Sequence, residues 1–567
     1  MERKVFVTFA DSVCFIHWTV ETVHPNLMAQ AFSLLVEDLS FRYRDRQELA
    51  IRDISLSMEP GGLLLVAGPS GCGKTTLARC INGLIPRSYK GELTGSIRML
   101  GQDTSSLSLA RISQMIGTVL QDPERQILGT RVISEVAFGL ENLGFSRPEI
   151  RERIAETMDY LGITELAERG THNLSGGEKQ KVALAGVLAM KPKMLLLDEP
   201  LASLDPASAQ ETMALLRQLV DEGMTVLIVE HRVEDVLKIR PDRVMLMLNG
   251  VVTYLGPIRG LESAVDYHEV KLPAAMTLKM AAGDPAPGEP TLLADAFEGA
   301  EPLVCFENVG FEYENGVKVL HDVTLNIHRG DVIAILGPNG AGKTTLAKHA
   351  IGLLKPNSGN VWVEGRETSE LSVAEIANTL GYVFQSPSHM LFAPSVKEEL
   401  SFGPKNLGHR PEDIKKEVRE AIEIVNLSGL EENPPLALSF GQQKRVTIAA
   451  ILSMRSKILV MDEPTAGQDY KNYMDFMDSI LRLPNFEAIL FITHDIDMAV
   501  IYANRVLVVS EGTVVADGAP EEVLKDYDLL ERCRLVPTSL LDLNLEMFDR
   551  TQKFMRAEAL AHISPVE

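Results

Sequence analysis

The 567-residue sequence is short of cysteine, of basic charge and of long apolar runs. Its five cysteines (Cys14, Cys72, Cys80, Cys305, Cys533) are scattered, odd in number and form no C-x-x-C pair. Neither a disulfide framework nor a zinc site is indicated, and a reduced, cytoplasmic protein is expected. Lysine and arginine total 55 against 78 aspartates and glutamates, a formal net charge of −23. That balance repels the phosphate backbone that dominates nucleic-acid affinity, so nucleic acid is not expected as a main partner. No stretch approaches the roughly 18 to 20 uninterrupted apolar residues that cross a bilayer, so any membrane role would be peripheral.

The start of the chain is read as an N-terminal extension, residues 1–33. Val5 to Val20 is apolar but interrupted by Asp11, Ser12 and His17, and no small-residue cleavage site follows it cleanly. Met28 opens the segment that leads into the first strand, so the residues before it are expected to be an extension or a misplaced start, with a signal peptide as the alternative.

What the sequence does contain is a repeat. Gly68-Pro69-Ser70-Gly71-Cys72-Gly73-Lys74-Thr75-Thr76 fits the phosphate-loop pattern G-x-x-x-x-G-K-[ST], behind an apolar run and ahead of a helical spacing. Gly337-Pro338-Asn339-Gly340-Ala341-Gly342-Lys343-Thr344-Thr345 repeats it in the same context. Glycines let the backbone wrap phosphates closely, and helix N-termini favour anionic oxygens. Lys74 and Lys343 suit β/γ phosphates, and Thr75 and Thr344 suit Mg²⁺. The length accommodates two domains, expected at 34–256 and 302–525. A Pro/Gly/Ala-rich acidic tether over 257–301 and a C-terminal tail over 526–567 complete the division.

Further signals recur in the same order in both halves. Tyr43 and Tyr313 close strand-like stretches, where each ring either stacks on an adenine face or packs a strand edge. Apolar strands end on Gln121 and Gln385. Amphipathic helical segments then lead to Ser175-Gly176-Gly177-Glu178 and Ser439-Phe440-Gly441-Gln442. Buried strands deliver Asp198-Glu199 and Asp462-Glu463, which is costly unless the carboxylates meet a cation or substrate. Two later strands end on His231 and His494.

This ordered set resembles the ATPase domain of ATP-binding cassette (ABC) proteins, twice over nearly the whole chain. The resemblance implies an α/β fold of tandem P-loop NTPase domains of ABC type. Each would have a RecA-like core, an antiparallel β subdomain and a helical signature subdomain. Two such domains close head to tail around two ATP molecules, here within one chain. One site would pair Lys74, Thr75, Gln121, Asp198, Glu199 and His231 with Ser439, Gly441 and Gln442. The other would pair Lys343, Thr344, Gln385, Asp462, Glu463 and His494 with Ser175, Gly177 and Glu178. Asp198 and Asp462, with Thr75, Thr344, Gln121 and Gln385, would organise Mg²⁺. Glu199 and Glu463 would polarise the attacking water, and the histidines would position the γ-phosphate. Phe440 stands where the family usually has glycine, so altered geometry or rate is expected at the site that Ser439 completes. Modification of Cys72, inside the first loop, is expected to impair that site and to be prevented by ATP.

The stretches from Gln121 to Ile127, Glu135 to Gly144 and Ser395 to Gly408 are similar to energy-coupling-factor importer ATPases, of the cobalt or hydroxymethylpyrimidine/thiamine-type branch. That resemblance implies a membrane-embedded coupling protein and a small substrate-capture membrane protein as partners, at the cytoplasmic face of the cell membrane. A fused dipeptide-type importer ATPase, or a soluble cassette factor acting on ribosomes or DNA, is the alternative.

Overall fold

The computed structural model describes residues 32–202, 204–285, 301–314, 316–465, 468–483 and 486–563. The N-terminal reading above therefore lies almost wholly outside the described residues, as does Cys14.

Each half is built from two sheets, and each sheet follows from its residue pattern. Leu34–Tyr43 and Ile51–Met58 alternate apolar and polar residues and pair antiparallel, with Gly91–Met99 on the other edge. By contrast Leu63–Ala67, Met194–Asp198 and Thr225–Val229 are buried at every position, the pattern of strands covered on both faces. They form the centre of a six-stranded sheet, in the order Ile116–Val119, Met194–Asp198, Thr225–Val229, Leu63–Ala67, Arg243–Leu248 and Val251–Gly256. All neighbours are parallel except the last pair. The second half repeats this order around Val332–Leu336. The carboxyl ends of the parallel strands collect the phosphate loop, the Asp-Glu pair and the histidine at one edge of each sheet, where open α/β sheets bind ligands.

Val132–Asn142, Arg147–Tyr160 and Gly176–Leu188 make the helical part of the first half, and Val396–Asn406, Pro411–Ile424 and Phe440–Ser453 that of the second. Among the described residues no helix is long and apolar enough to cross a membrane.

The segment read as a tether behaves differently over its first part. Residues Ile258–Ser263 and Ala274–Ala281 are helical, and Leu261, Tyr267, Val270, Leu272 and Ala281 are buried in the core of the first half. Ala274 is buried in the core of the second half instead. The C-terminal tail also folds, with helices Ser539–Thr551 and Ala557–Leu560 packed against Ala274–Ala281. Apolar residues spaced among the prolines and alanines give this segment a buried face, so composition alone misread it. Residues 286–300 lie outside the described residues.

Candidate active sites

Both phosphate loops have one geometry. Gly68 and Gly73 take φ of 146° and 106°, and Gly337 and Gly342 take 143° and 101°. A Cβ on Gly68 would lie 2.2 Å from the Met247 carbonyl oxygen, and one on Gly337 2.0 Å from that of Val509, so only glycine fits. Lys74 Nζ donates to the carbonyls of Gly68 (2.7 Å) and Pro69 (3.0 Å), and Lys343 Nζ to those of Gly337 (2.6 Å) and Pro338 (2.9 Å). Each ammonium thus sits inside its own loop, and burial lowers the pKa of Lys343 against the pull of Glu463, Asp462 and Asp205. Tyr43 and Tyr313 reach the neighbouring helices, with hydroxyls 3.2 Å from Thr76 Oγ1 and 3.3 Å from Thr345 Oγ1. Each ring also packs edge-on against Phe41 or Phe311.

The carboxylates stand beside these loops. Thr75 Oγ1 donates to Asp198 (3.3 Å) and Thr344 Oγ1 to Asp462 (2.9 Å). Burial, and then Glu199 next door, raise Asp198 to about 6, and burial raises Asp462 and Glu199 as well. Glu199 and Glu463 occupy the left-handed region at φ of 50° and 47°. Strained backbone of this kind persists only where its surroundings impose it, and here it recurs in both copies. Gln121 Nε2 donates to Glu199 Oε2 at 2.6 Å, whereas Gln385 lines the cavity at Lys343.

The two histidines differ. His494 Nδ1 lies 3.0 Å from Glu463 Oε1; a carboxylate can only accept, so Nδ1 carries the proton. His231 Nδ1 is 3.8 Å from Glu199 but 3.2 Å from Glu230, a fully buried residue that also accepts the backbone N–H groups of Leu201, His231 and Arg232. Thr493 stands at the Glu230 position in the second half. A second difference is Tyr382, whose hydroxyl donates to Asp462 Oδ2 at 2.8 Å; Thr118 occupies that strand position in the first half.

Ser175 and Ser439 cap the helices that follow them in matching capping boxes, with Glu178 and Gln442 as the reciprocal partners. Each Oγ accepts a backbone N–H, at 3.3 Å in both copies, which leaves the hydroxyl proton available to an anionic ligand. Ser439, Phe440 and Gly441 line one cavity of about 780 Å³ together with Ser70 and Gly71 of the first loop. Across the same interface Ser70 N donates to Asp469 Oδ2 at 2.8 Å. The other loop faces a cavity of about 480 Å³ that holds Gly340 to Thr345, Asp462, Glu463 and His494 with Ala202, Leu204 and Gln210 of the first half. Ser175, Gly177 and Glu178 do not line it. Of the first expected pairing, Ser439 and Gly441 thus share a cavity with Ser70 and Gly71 of the first loop, without Lys74, Thr75, Gln121, Asp198, Glu199, His231 or Gln442 on its lining.

Phe440 comes with a companion. Lys444 is 2% exposed, its Nζ lies 5.3 Å from the Phe440 ring centroid, and it donates to the Pro464 carbonyl at 2.5 Å and the Glu463 carbonyl at 3.4 Å. Burial lowers its pKa to about 7, against the opposing charge of Glu463. Tyr382, Glu230 and Lys444 are the residues the sequence reading missed; the signal for Lys444 was a charge on the buried face of its helix.

Cys72 is also buried, at 4% exposure, with Sγ 3.9 Å from Lys74 Nζ, and burial raises its pKa. Thiolate is the reactive form, so ready modification of this residue is not expected. Under native conditions maleimide should label Cys305, the only partly exposed cysteine among those described, well before Cys72. Peptide mass spectrometry after timed quenching measures the order, and fast Cys72 labelling would contradict the packed loop.

Comparison with known proteins adds the family. The family model described as "ABC transporter" matches residues 51–202 and 320–466. The chain is 36% identical over 554 residues to a Lactiplantibacillus plantarum protein named "Putative ABC transporter ATP-binding protein", covering 92% of this chain and 98% of that one. An Enterococcus faecalis protein of the same name is 38% identical over 533 residues, covering 89% and 93%. Among solved structures, cbiO1 from Clostridium perfringens, titled part of the ABC transporter complex cbiONQ, is 33% identical and covers 44% of this chain and 100% of its own, with a TM-score of 0.38. Two phosphate loops, two capped serine turns and two Asp-Glu strand ends fall in a chain matched along nine-tenths of its length, and it belongs to the ABC transporter family as an ATP-hydrolysing, ATP-binding protein with two fused ATPase domains.

Proposed function

We propose that this chain is the ATP-driven motor subunit of a membrane importer of the energy-coupling-factor type, moving a vitamin or a transition-metal ion. It would sit peripherally on the cytoplasmic face of the cell membrane, bound to a membrane-embedded coupling protein that carries a small substrate-capture protein. The observation that carries this reading is an exposed apolar pair that follows each glutamine at the same spacing. Leu128 and Phe138 are 68% and 44% exposed, and Phe392 and Phe402, at the same distances after Gln385, are 62% and 50% exposed. Each pair is held by a buried glutamate: Glu135 accepts the N–H groups of Leu128 and Gly129, and Glu399 those of Phe392 and Ala393. Exposed apolar groups on a fixed support suit a protein partner. Their matched spacing after Gln121 and Gln385 in the two halves suits transmission of domain closure to that partner.

In this reading the helix N-terminus and hydroxyl of Ser439 meet the phosphates held by Lys74, and closure brings Ser175 to those held by Lys343. Hydroxyl and carboxylate oxygens suit Mg²⁺, which takes few protein ligands beside substrate phosphates. Thr75 with Asp198 and Thr344 with Asp462 would hold the ion, Gln121 and Gln385 lying close by. It would offset phosphate charge. Glu199 and Glu463 take the proton of the attacking water, while Gln121 and His494 hold them in place.

Replacing Phe392 and Phe402 by glutamate, with Leu128 and Phe138 treated likewise, should release the chain from the membrane fraction while ATP binding stays unchanged. Copurification from gently solubilised membranes measures this. Retention by the membrane, or stable ATP-dependent association with ribosomes, would sink the proposal.

A further inference from the structure

Phe440 and Lys444 replace, in the second copy, the Gly176 and Gln180 of the first, and the two replacements touch each other. Their spacing of one helical turn puts them on one face of the helix Phe440–Ser453. Phe440 projects into the cavity shared with Ser70 and Gly71, so it belongs to the first site. Lys444 donates to the carbonyls of Glu463 and Pro464, and Glu463 belongs to the second. A buried amine between an aromatic face and two carbonyls is held from both sides: the ring attracts its charge, and the carbonyls accept its protons. The backbone it grips carries Glu463 in its left-handed conformation.

We infer that Lys444, seated by the Phe440 ring, is a positioning residue that fixes the Glu463 carboxylate of the second site and ties it to the wall of the first. Phe440 is then one member of a matched pair that does the work of the glycine and glutamine in the other copy. The inference rests on the reading of Glu463 as the water-activating group. Small misplacement of such a group costs rate with little effect on binding.

The experiment uses the full chain with the first site silenced by Glu199→Gln, so that remaining ATP turnover reports the second. In that background Lys444→Met should lower kcat about tenfold or more and leave KM for ATP within about twofold. Lys444→Gln alone should also lose rate. Phe440→Gly with Lys444→Gln, the pair found in the first copy, should recover kcat to within about threefold of the background, a non-additivity expected of residues in contact. Unchanged kcat in Lys444→Met, or single losses that simply multiply in the double variant, overturns the inference. Phe440→Leu keeps the bulk without the ring and carries the same test if Lys444→Met does not fold: a kcat loss at constant KM supports the pair, and no loss refutes it. Glu463→Gln runs in parallel. If it leaves turnover intact, the reading of Glu463 fails and takes the inference with it; if it abolishes turnover while Lys444→Met does not, the inference alone fails.

Discussion

Glu199→Gln together with Glu463→Gln is expected to lower steady-state ATP hydrolysis by about 10²–10⁴-fold, the range for loss of a positioned acid–base group, with ATP affinity preserved. Affinity should survive because the groups that hold phosphate, Lys74, Lys343 and the loop N–H groups, are untouched. Rate should collapse because an amide cannot take the proton of water. Two structural features favour these residues over Asp198 and Asp462. Both glutamates sit in the left-handed region of the backbone, which the aspartates before them do not. Both are also gripped from the side, Glu199 by Gln121 at 2.6 Å and Glu463 by His494 at 3.0 Å. The aspartates instead engage the threonines of the phosphate loops. The single variants should be unequal, since His231 leans towards Glu230 rather than Glu199 and Tyr382 engages Asp462 only in the second half. Single-turnover and steady-state measurements on the three proteins decide the point, and near-normal turnover in the double variant would refute the assigned roles.

How much of this was readable in the sequence follows from how far apart the contacts lie along the chain. The phosphate loops, the serine turns and the Asp-Glu strand ends are contiguous motifs whose residues act on one another through local backbone geometry, and their order alone gave the architecture. Tyr382 was invisible because a tyrosine in an apolar strand reads as core; its role depends on the neighbouring strand Ile458–Asp462, to which it is paired. Glu230 reads as an ordinary strand end until its burial is known. The Cys72 expectation meets a similar obstacle, because a thiol within a glycine-rich loop suggests access while the packing around Gly68 buries it. The expected pairing of Ser175 with the second loop joins residues from opposite halves of the chain, which no local pattern encodes.

Lys271→Met is expected to produce the largest structural effect, and it acts where composition suggested only a tether. Lys271 lies between Asp495 (3.4 Å) and Asp497 (2.5 Å), the residues just after His494. Around them Ser539 N donates to Glu234, Ala274 N to Ser539 Oγ, and Thr538 Oγ1 to Asp497. Lys271 thus joins the segment leaving the first half to the histidine loop of the second half, and the C-terminal tail is hydrogen-bonded to both beside it. The Lys271, Asp495 and Asp497 side chains are 19%, 23% and 4% exposed, so removing the cation strands buried negative charge, at a cost of about 3–5 kcal/mol. The pH dependence has a definite sign. Burial already raises Asp497 above its usual value, opposed chiefly by Lys271, and losing Lys271 raises it further. A carboxyl whose folded pKa is raised opposes folding only once ionised. Lys271 holds Asp495 below its usual value, so part of the variant's stability deficit should already be present near pH 4, and the deficit should grow as pH rises through the raised folded value of Asp497 and be complete above it. Calorimetry of both proteins across that range tests the trend. Hydrogen exchange should show protection lost first in Ala274–Ala281 and Ser539–Thr551, with the sheet around Val332–Leu336 retained. A deficit that shrinks as pH rises, or exchange unchanged in both helices, would mean that Lys271 does not hold the halves together.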